Sequence, residues 1–260
     1  DWNEPMNWNW DAVPDGNIAI GNAANPFIAR ISADIPATPT DIIVGEWFGT
    51  GVLDQTAGTA QTGTGNWMKI GSGINGTGFY NLANTDSSGG VLTGFGTGSG
   101  TMNVSGAVMM GEQYSVQTGN NSTVKINTTG AFIVGYAFDI GYNGAKADVF
   151  MDAGTVKVGD SIYFSRSPSA TNSVSGTSSL SISGGSIIVT NRLVLAPGDY
   201  TTNAFASGSH ATVNINGGTV TTDVAHNDSW AAGVSMASGV WDGNYAATNG
   251  GGGGAATLNL

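Results

Sequence analysis

The sequence predicts an all-β fold, a right-handed parallel β-helix, which is a solenoid of three-strand coils, with long loops on one side. Three observations lead to this prediction. Apolar residues alternate with polar ones in short pairs, which is the period of a strand. The pairs recur in one order along the chain. Glycine, 42 of 260 residues, falls between the pairs, where a sharp turn needs a positive φ.

The N-terminal segment, residues 1–30, is predicted to form a cap. It holds Trp2, Trp8 and Trp10 ahead of the periodic region. Because a solenoid needs a cover over the open end of its core, packing in the cap is favoured for these rings over contact with a ligand. Residues 31–260 are then the coils of a single domain, whose last coil is truncated.

The repeat is clearest in the middle of the chain. Each unit has a first apolar pair, a glycine, a second pair and a third pair. In the units that begin at Val149 and Leu180, the second pair starts seven residues after the first, and the third starts six residues later. One coil cannot bury its apolar face alone, so neighbouring coils must stack, and their crossovers are expected to be right-handed. First strands are predicted to start at Met102, Val124, Val149, Leu180, Val213 and Leu258.

The connections after the third strand lengthen along the chain. Residues 141–148 make a short connection, residues 165–179 and 196–212 make longer ones, and the excursion after residue 222 is the longest. All are predicted to leave from one corner of the coil. Long insertions on one side of a solenoid often form its binding face. The alternative is tolerated surface decoration, since long loops cost little extra entropy.

Charge and composition narrow the choice of partners. The net charge is −11, and the seven Lys and Arg residues form no run, so nucleic acid and anionic membranes are disfavoured. The absence of cysteine excludes disulfides and thiolate metal sites. No apolar run approaches the ~20 residues that span a membrane. We expect a secreted bacterial protein, either a mature chain or an excised module.

The amino-acid sequence of the repeat resembles that of known proteins in three segments: Thr101–Gly106, Ser179–Ile187 and Thr212–Val220. They resemble the glycine-rich β-helix repeats of bacterial autotransporter passengers. Size, acidity, loop-rich coils and the lack of an evident catalytic set are also similar to the parallel β-helix carbohydrate-binding modules of bacterial plant-cell-wall hydrolases, including a xylan-binding type. The first resemblance implies a surface segment, and the second implies non-catalytic polysaccharide binding.

Aromatic residues in the long loops are the predicted ligand contacts, because sugars stack their C–H faces on such rings while carboxylates and amides bind hydroxyls. Packing within the loop itself is the alternative for each ring. Trp47 and Trp67, in less regular early coils, are weaker candidates. The predicted ligand-binding set is Trp230, Trp241, Tyr245, Tyr200, Tyr163, Asp228, Asp242 and Asn244.

One column of polar residues follows the second strand pair in successive coils. Stacking would place Asp160 and Asp223 on either side of Asn191, with Arg192 next to it. Two carboxylates and an amide could begin a calcium site. The favoured alternative is a turn ladder, since Asn and Asp tolerate tight turns and bind neighbouring backbone.

The sequence therefore predicts a protein that is not an enzyme and has no catalytic residues. No cofactor is predicted, with calcium as the alternative. Its function would be to hold a plant cell-wall polysaccharide, with xylan as the first candidate, for a covalently linked glycoside hydrolase. The alternatives are a structural or adhesive segment of a bacterial surface protein and, third, a calcium-dependent polysaccharide lyase.

Overall fold

Two sheets of parallel strands make up the described part of the protein. The structure, a computed structural model, describes residues 16–22, 27–84, 96–111, 119–166, 176–195, 209–222, 233–236 and 255–260. These residues form strands and turns without a helix, so they contain no helix that could cross a membrane. The all-β prediction is confirmed for the described part of the chain.

One sheet has eight strands, each paired in parallel with the next in spatial order. Its strands are β1 (Ile18–Asn22), β3 (Ile42–Glu46), β6 (Met68–Ser72), β9 (Val108–Gly111), β11 (Phe138–Tyr142), β13 (Ile162–Phe164), β16 (Arg192–Leu195) and β19 (Gly233–Met236).

The other sheet follows a path of twelve strands in total, eight of which form its main row. The main row is β2 (Phe27–Ile31), β4 (Thr50–Gln55), β7 (Thr77–Ala83), β10 (Asn121–Val134), β12 (Lys146–Val158), β14 (Thr177–Ile182), β17 (His210–Ile215) and β20 (Ala255–Asn259). Beside it lie β5 (Thr59–Gln61), β8 (Thr101–Val104), β15 (Ser186–Val189) and β18 (Thr219–Thr222).

In-register pairing carries the apolar pattern from one repeat to the next. Tyr80 pairs with Val124, Val124 with Val149, and Val149 with Leu180. These side chains are buried in one continuous core that also takes the apolar residues of the eight-stranded sheet. At its centre the Phe132 ring lies 5.6 Å from the Tyr80 ring and 5.7 Å from the Phe138 ring, measured between centroids. The apolar pairs read from the sequence are therefore the core residues.

The prediction that Met102 begins a first strand was wrong. Met102 lies in β8 and pairs with Phe132, which belongs to the second pair of its unit. The first strand of that unit is β7, in which Tyr80 is buried, and residues 84–100 separate the two. The spacing from Met102 to Val108 is the six residues that separate second from third pairs elsewhere, so the signal was present in the sequence.

Two of the predicted turns between first and second strands are continuous strand. β10 and β12 each include both apolar pairs, with register shifts between Ile126 and Ala131. The next repeat has two separate strands, β14 and β15, with Gly185 between them at φ 87°. The division into three strands per repeat is thus sharper in the later repeats.

The repeat also begins earlier than predicted. β1 and most of β2 fall within residues 1–30 and pair into the two sheets. The three tryptophans of the predicted cap lie outside the described residues, so that role stays a prediction. At the other end, β20 pairs with β17 and places Leu258 beside Val213. This agrees with the prediction that Leu258 begins the first strand of the last repeat.

Candidate functional site

One edge of the molecule collects most of the long connections. We call the corner surface the set of turns that lead from each strand of the eight-stranded sheet to the next strand of the twelve-stranded sheet. Four long segments of the chain connect such strands, and most of their residues lie outside the described part: residues 112–120, 165–176, 196–209 and 237–254. Two others, residues 84–100 and 223–232, join different strands. The prediction that the long connections all leave from one corner was wrong for residues 223–232, which follow β18, and residues 84–100 were not predicted as a long connection.

The strand β19 divides the chain after residue 222 into two connections, residues 223–232 and residues 237–254. Its backbone pairs with β16, with Val234 beside Leu193 and Met236 beside Leu195. Asp228 and Trp230 therefore precede β19 in the chain, whereas Trp241, Asp242, Asn244 and Tyr245 follow it. Together with Tyr200, these predicted ligand contacts lie outside the described residues, and their role stays a prediction.

Tyr163 is the predicted ligand contact that the structure describes. It lies in the middle of β13 on the side away from the main core, yet it is only 5 % exposed. Ala137 and Val194 form a small second cluster with it. The guanidinium carbon of Arg166 lies 4.5 Å from the centroid of its ring. In this structure the Tyr163 ring thus contacts a cation, and contact with a sugar remains untested.

A buried ion pair lies beside Tyr163. Nε of Arg166 is 3.2 Å from Oδ1 of Asp139, which pairs with Tyr163 in the sheet register. Among the described residues, neither carboxylate oxygen has an aligned hydrogen-bond donor, so the attraction to Arg166 is Coulombic rather than a directed bond. The Tyr142 ring completes the cluster, 5.4 Å from the guanidinium carbon.

Burial and neighbouring charge shift the ionisation of this cluster. Loss of hydration raises the pKa of the Asp139 carboxyl to about 6, against the lowering effect of Arg166, and Asp160 raises it further. Burial also raises the pKa of Tyr163, with a contribution from Asp160. Burial by itself lowers the pKa of Arg166 and is the largest effect, but Asp139, Tyr142 and Tyr163 together outweigh it, so the net shift is upward. Asp139 can therefore exchange a proton near neutral pH while Arg166 stays charged.

The backbone that precedes Arg166 is held at several points. Ser165 has a left-handed φ of 55° and donates its N–H to the Ile140 carbonyl at 2.7 Å. Its hydroxyl lies 2.7 Å from the Ser178 hydroxyl and donates to the His210 carbonyl at 2.9 Å. The Asn143 N–H donates to the Arg166 carbonyl. The start of the 165–176 connection is thereby held to strands of both sheets.

The predicted metal column forms a ladder where the structure describes it. The Asn191 N–H donates to the Asp160 carbonyl at 2.9 Å, and the Asn191 side-chain amide donates to Oδ1 of Asp160. The Ser161 hydroxyl donates to the same oxygen at 3.2 Å. Asp223 lies outside the described residues, and those described contain no group of three or more His, Cys, Asp or Glu that could hold a metal. The arrangement favours the turn ladder over a calcium site.

Sequence reasoning missed Asp139 and Arg166 and ranked Trp47 low. No motif marks the ion pair, because its partners meet only through the register of β11 and β13. Trp47 and its neighbour Phe48 are exposed on the corner surface, in the turn between β3 and β4. Extending the repeat back to β1 would have placed them there. No family model, curated protein or solved structure matches this chain.

Proposed function

We propose that the chain is a right-handed parallel β-helix that binds a neutral polysaccharide of the plant cell wall without cleaving it. Xylan is the first candidate ligand, from the resemblance of the sequence to xylan-binding modules. In this proposal the protein is secreted by a bacterium and raises the local concentration of substrate for an attached glycoside hydrolase. The two sheets are the faces of the helix, and the corner surface borders the binding region.

The stacking of short polar side chains on the outer face of the twelve-stranded sheet carries the proposal. Parallel register places one such residue above the next at ~4.8 Å, the spacing of strands in a sheet. That spacing is close to the length of one extended pyranose unit, so a linear polysaccharide would meet a similar set of donors and acceptors at each sugar. In the repeats from β10 to β20, the column beside the corner surface consists of Thr123, Asp148, Ser179, Thr212 and Thr257, whereas the earlier repeats hold Phe79, Val52 and Ile28 at the same positions.

The charge of the protein supports a neutral ligand. With a net charge of −11, the chain repels polyanions at long range. Hydroxyl and amide groups, in contrast, bind sugar hydroxyls without a charge of their own. Asn259 donating to Asn214 at 2.6 Å shows that neighbouring amides on this face lie within hydrogen-bonding distance of one another.

Affinity electrophoresis against a polysaccharide panel tests the proposal. The panel contains xylan, arabinoxylan, β-glucan, mannan, cellulose and polygalacturonate. We expect retardation by a neutral polysaccharide with no change in its chain length. Absence of retardation by every member would overturn the binding function. Formation of unsaturated product from polygalacturonate with calcium would instead establish a lyase.

The continuous core favours one alternative, a structural or adhesive segment of a bacterial surface protein. A single apolar cluster runs from Ile18 in β1 to Val213 in β17, as expected of a stiff rod. The domain map of the full gene discriminates between the two functions. A neighbouring glycosidase domain supports the binding module, and a surface-anchoring domain supports the rod.

A further inference from the structure

Two consecutive aromatic residues on the corner surface have an unusual backbone. Trp47 and Phe48 have φ values of 47° and 65°, in the left-handed region that bulky residues rarely adopt. Their side chains are also exposed, by 52 % and 63 %. A left-handed backbone at bulky residues costs free energy, and because these side chains are exposed, their burial offsets little of that cost. The sequence thus keeps two costly residues at a place where packing does not require them.

In the following repeats, other residue types take the left-handed backbone conformation at the equivalent turn. The turn from β6 to β7 has its left-handed residues at Gly73 and Asn75, and the turn from β11 to β12 has them at Asn143 and Gly144. Glycine and asparagine adopt this conformation at low cost. Since the same corner folds with these residues, the turn between β3 and β4 does not need aromatic side chains for its shape.

Neighbouring backbone holds the two aromatic residues in place. The Trp47 N–H donates to the Ser72 carbonyl at 3.2 Å, and the Phe48 N–H donates to the Ile74 carbonyl at 2.7 Å. A Cβ atom on Gly73 would lie 3.0 Å from Cδ2 of the Trp47 ring, so the indole lies against a glycine. A side chain there would lift the ring away. The pair is therefore displayed on a fixed base, which lowers the entropy cost of binding.

The surroundings of the pair fit a neutral sugar chain. The exposed amides of Asn75 and Asn121 follow on the same side of the molecule, one and two repeats further along. Glu46, directly before the pair, and the net charge of −11 oppose an anionic ligand. Aromatic rings offer apolar faces for the C–H groups of a pyranose, and amides bind its hydroxyls.

We propose that Trp47 and Phe48 form an aromatic platform that stacks on the pyranose rings of a neutral polysaccharide lying along the corner surface. This inference rests on the proposed polysaccharide-binding function and adds a site within the described repeats, apart from the aromatic residues of the long loops. The platform begins the track, and the amides of the next repeats extend it.

Substitutions that distinguish the aromatic character of a side chain from its apolar volume test the platform in the full-length chain. Trp47→Phe retains an aromatic face, whereas Trp47→Leu retains apolar bulk without one. In affinity electrophoresis with xylan and the other neutral polysaccharides, we expect Trp47→Phe to bind within a few-fold of wild type. We expect Trp47→Leu and Phe48→Leu to weaken binding about tenfold, the scale of an aromatic anchor in an interface. Trp47→Gly, which copies Gly73, should lose affinity and keep or raise the melting temperature.

Tyr136→Leu is the matched control, because Tyr136 is an exposed aromatic residue in a turn between β10 and β11, away from the corner surface. It should bind like wild type. If wild type binds a polysaccharide and Trp47→Leu binds it equally well, the platform is overturned while the proposed function stands. If wild type binds none of the panel, both are overturned. If Trp47→Leu changes only the oligomeric state, the pair contacts a second copy of the chain, and the platform is again overturned.

Discussion

At the scale of single residues, the burial of Asp139 links folding to pH. Its carboxyl is 1 % exposed, and its pKa rises from 3.8 in the unfolded chain to about 6 in the fold. A carboxyl with a raised pKa binds its proton more tightly when folded. Its contribution to stability is therefore fully present below about pH 3.8 and is lost as pH rises through about 6. A shift of this size corresponds to about 3 kcal/mol between those limits.

Comparison of wild type with Asp139→Asn isolates this effect. We expect the stability of wild type relative to the variant to be greater at pH 5 than at pH 7.5, because only wild type loses the favourable protonated carboxyl between them. Urea unfolding midpoints at the two pH values measure the difference. Asp152→Asn, which removes an exposed carboxylate from β12, is the control and should show a smaller change. A relative stability that is constant or rises with pH would contradict the assignment.

The Asp160–Asn191 ladder predicts how the protein responds to calcium. Oδ1 of Asp160 already accepts hydrogen bonds from Asn191 and Ser161. A calcium ion with six to eight oxygen ligands would have to displace them. We expect the melting temperature to be the same with excess calcium and with excess chelator. A rise with calcium that Asp160→Asn abolishes would establish the metal site and remove the ladder interpretation.

At the scale of elements, glycine lets the two sheets approach at the corner surface. A Cβ atom on Gly78 in β7 would lie 2.2 Å from the Val44 carbonyl oxygen and 2.5 Å from the Gly71 nitrogen. Both contacts are with backbone, which cannot rotate away. In later repeats the same column holds Ser122 and Ala147, so the approach is closest in the early ones.

Gly78→Ala should therefore destabilise the protein by about 3 kcal/mol, the upper end for overpacking a close contact. Gly16→Ala is the matched control, since a Cβ atom there would meet nothing within 4 Å. Thermal unfolding of the two variants gives the comparison, with a clear fall in midpoint expected only for Gly78→Ala. Equal midpoints for the two variants would mean that the sheets can move apart at little cost.

The elements differ in how far the sequence could predict them. Strands with two alternating apolar residues and a flanking glycine, such as β14 and β15, were identified because period and turn signals agree. β19 was missed because its four residues lie in a long Gly- and Ala-rich stretch, where one alternation carries little weight. β8 was found but assigned to the wrong position. Its position as a second strand could have been inferred from the six-residue spacing between Met102 and Val108, and its pairing with Phe132 shows that position directly.

The same limit applies to the candidate site. The Asp160–Asn191 stack was predicted because both residues occupy equivalent positions in two repeats. The contact between Asp139 and Arg166 could not be predicted in this way. Arg166 follows the last residue of β13 by two positions and reaches back to the preceding repeat, which no repeating pattern encodes. Contacts made by side chains at positions outside the repeat pattern could therefore be identified only from the structure.

At the scale of the whole molecule, the interior accounts for stability and the outer surface for the proposed binding. The apolar cores of the repeats are stabilised only by their neighbours, so the main apolar core is continuous, and buried charges such as Asp139 lie outside it. The outer surface has a strong negative charge in total, but its polar columns consist mostly of hydroxyl and amide side chains. Long-range electrostatics would therefore select against polyanions, and short-range hydrogen bonds and ring contacts would hold a neutral chain.

This separation predicts how binding depends on salt. Salt screens long-range charge interactions, with a Debye length that falls from about 10 Å at 0.1 M to about 3 Å at 1 M, but hardly changes stacking or neutral hydrogen bonds. Between these salt concentrations, retardation by xylan should change by less than about twofold. Binding that strengthens with salt would indicate an anionic ligand, because screening relieves its repulsion by the charge of −11. Binding that weakens with salt would indicate direct contacts from the few Lys and Arg residues, and either result would contradict recognition of a neutral polysaccharide.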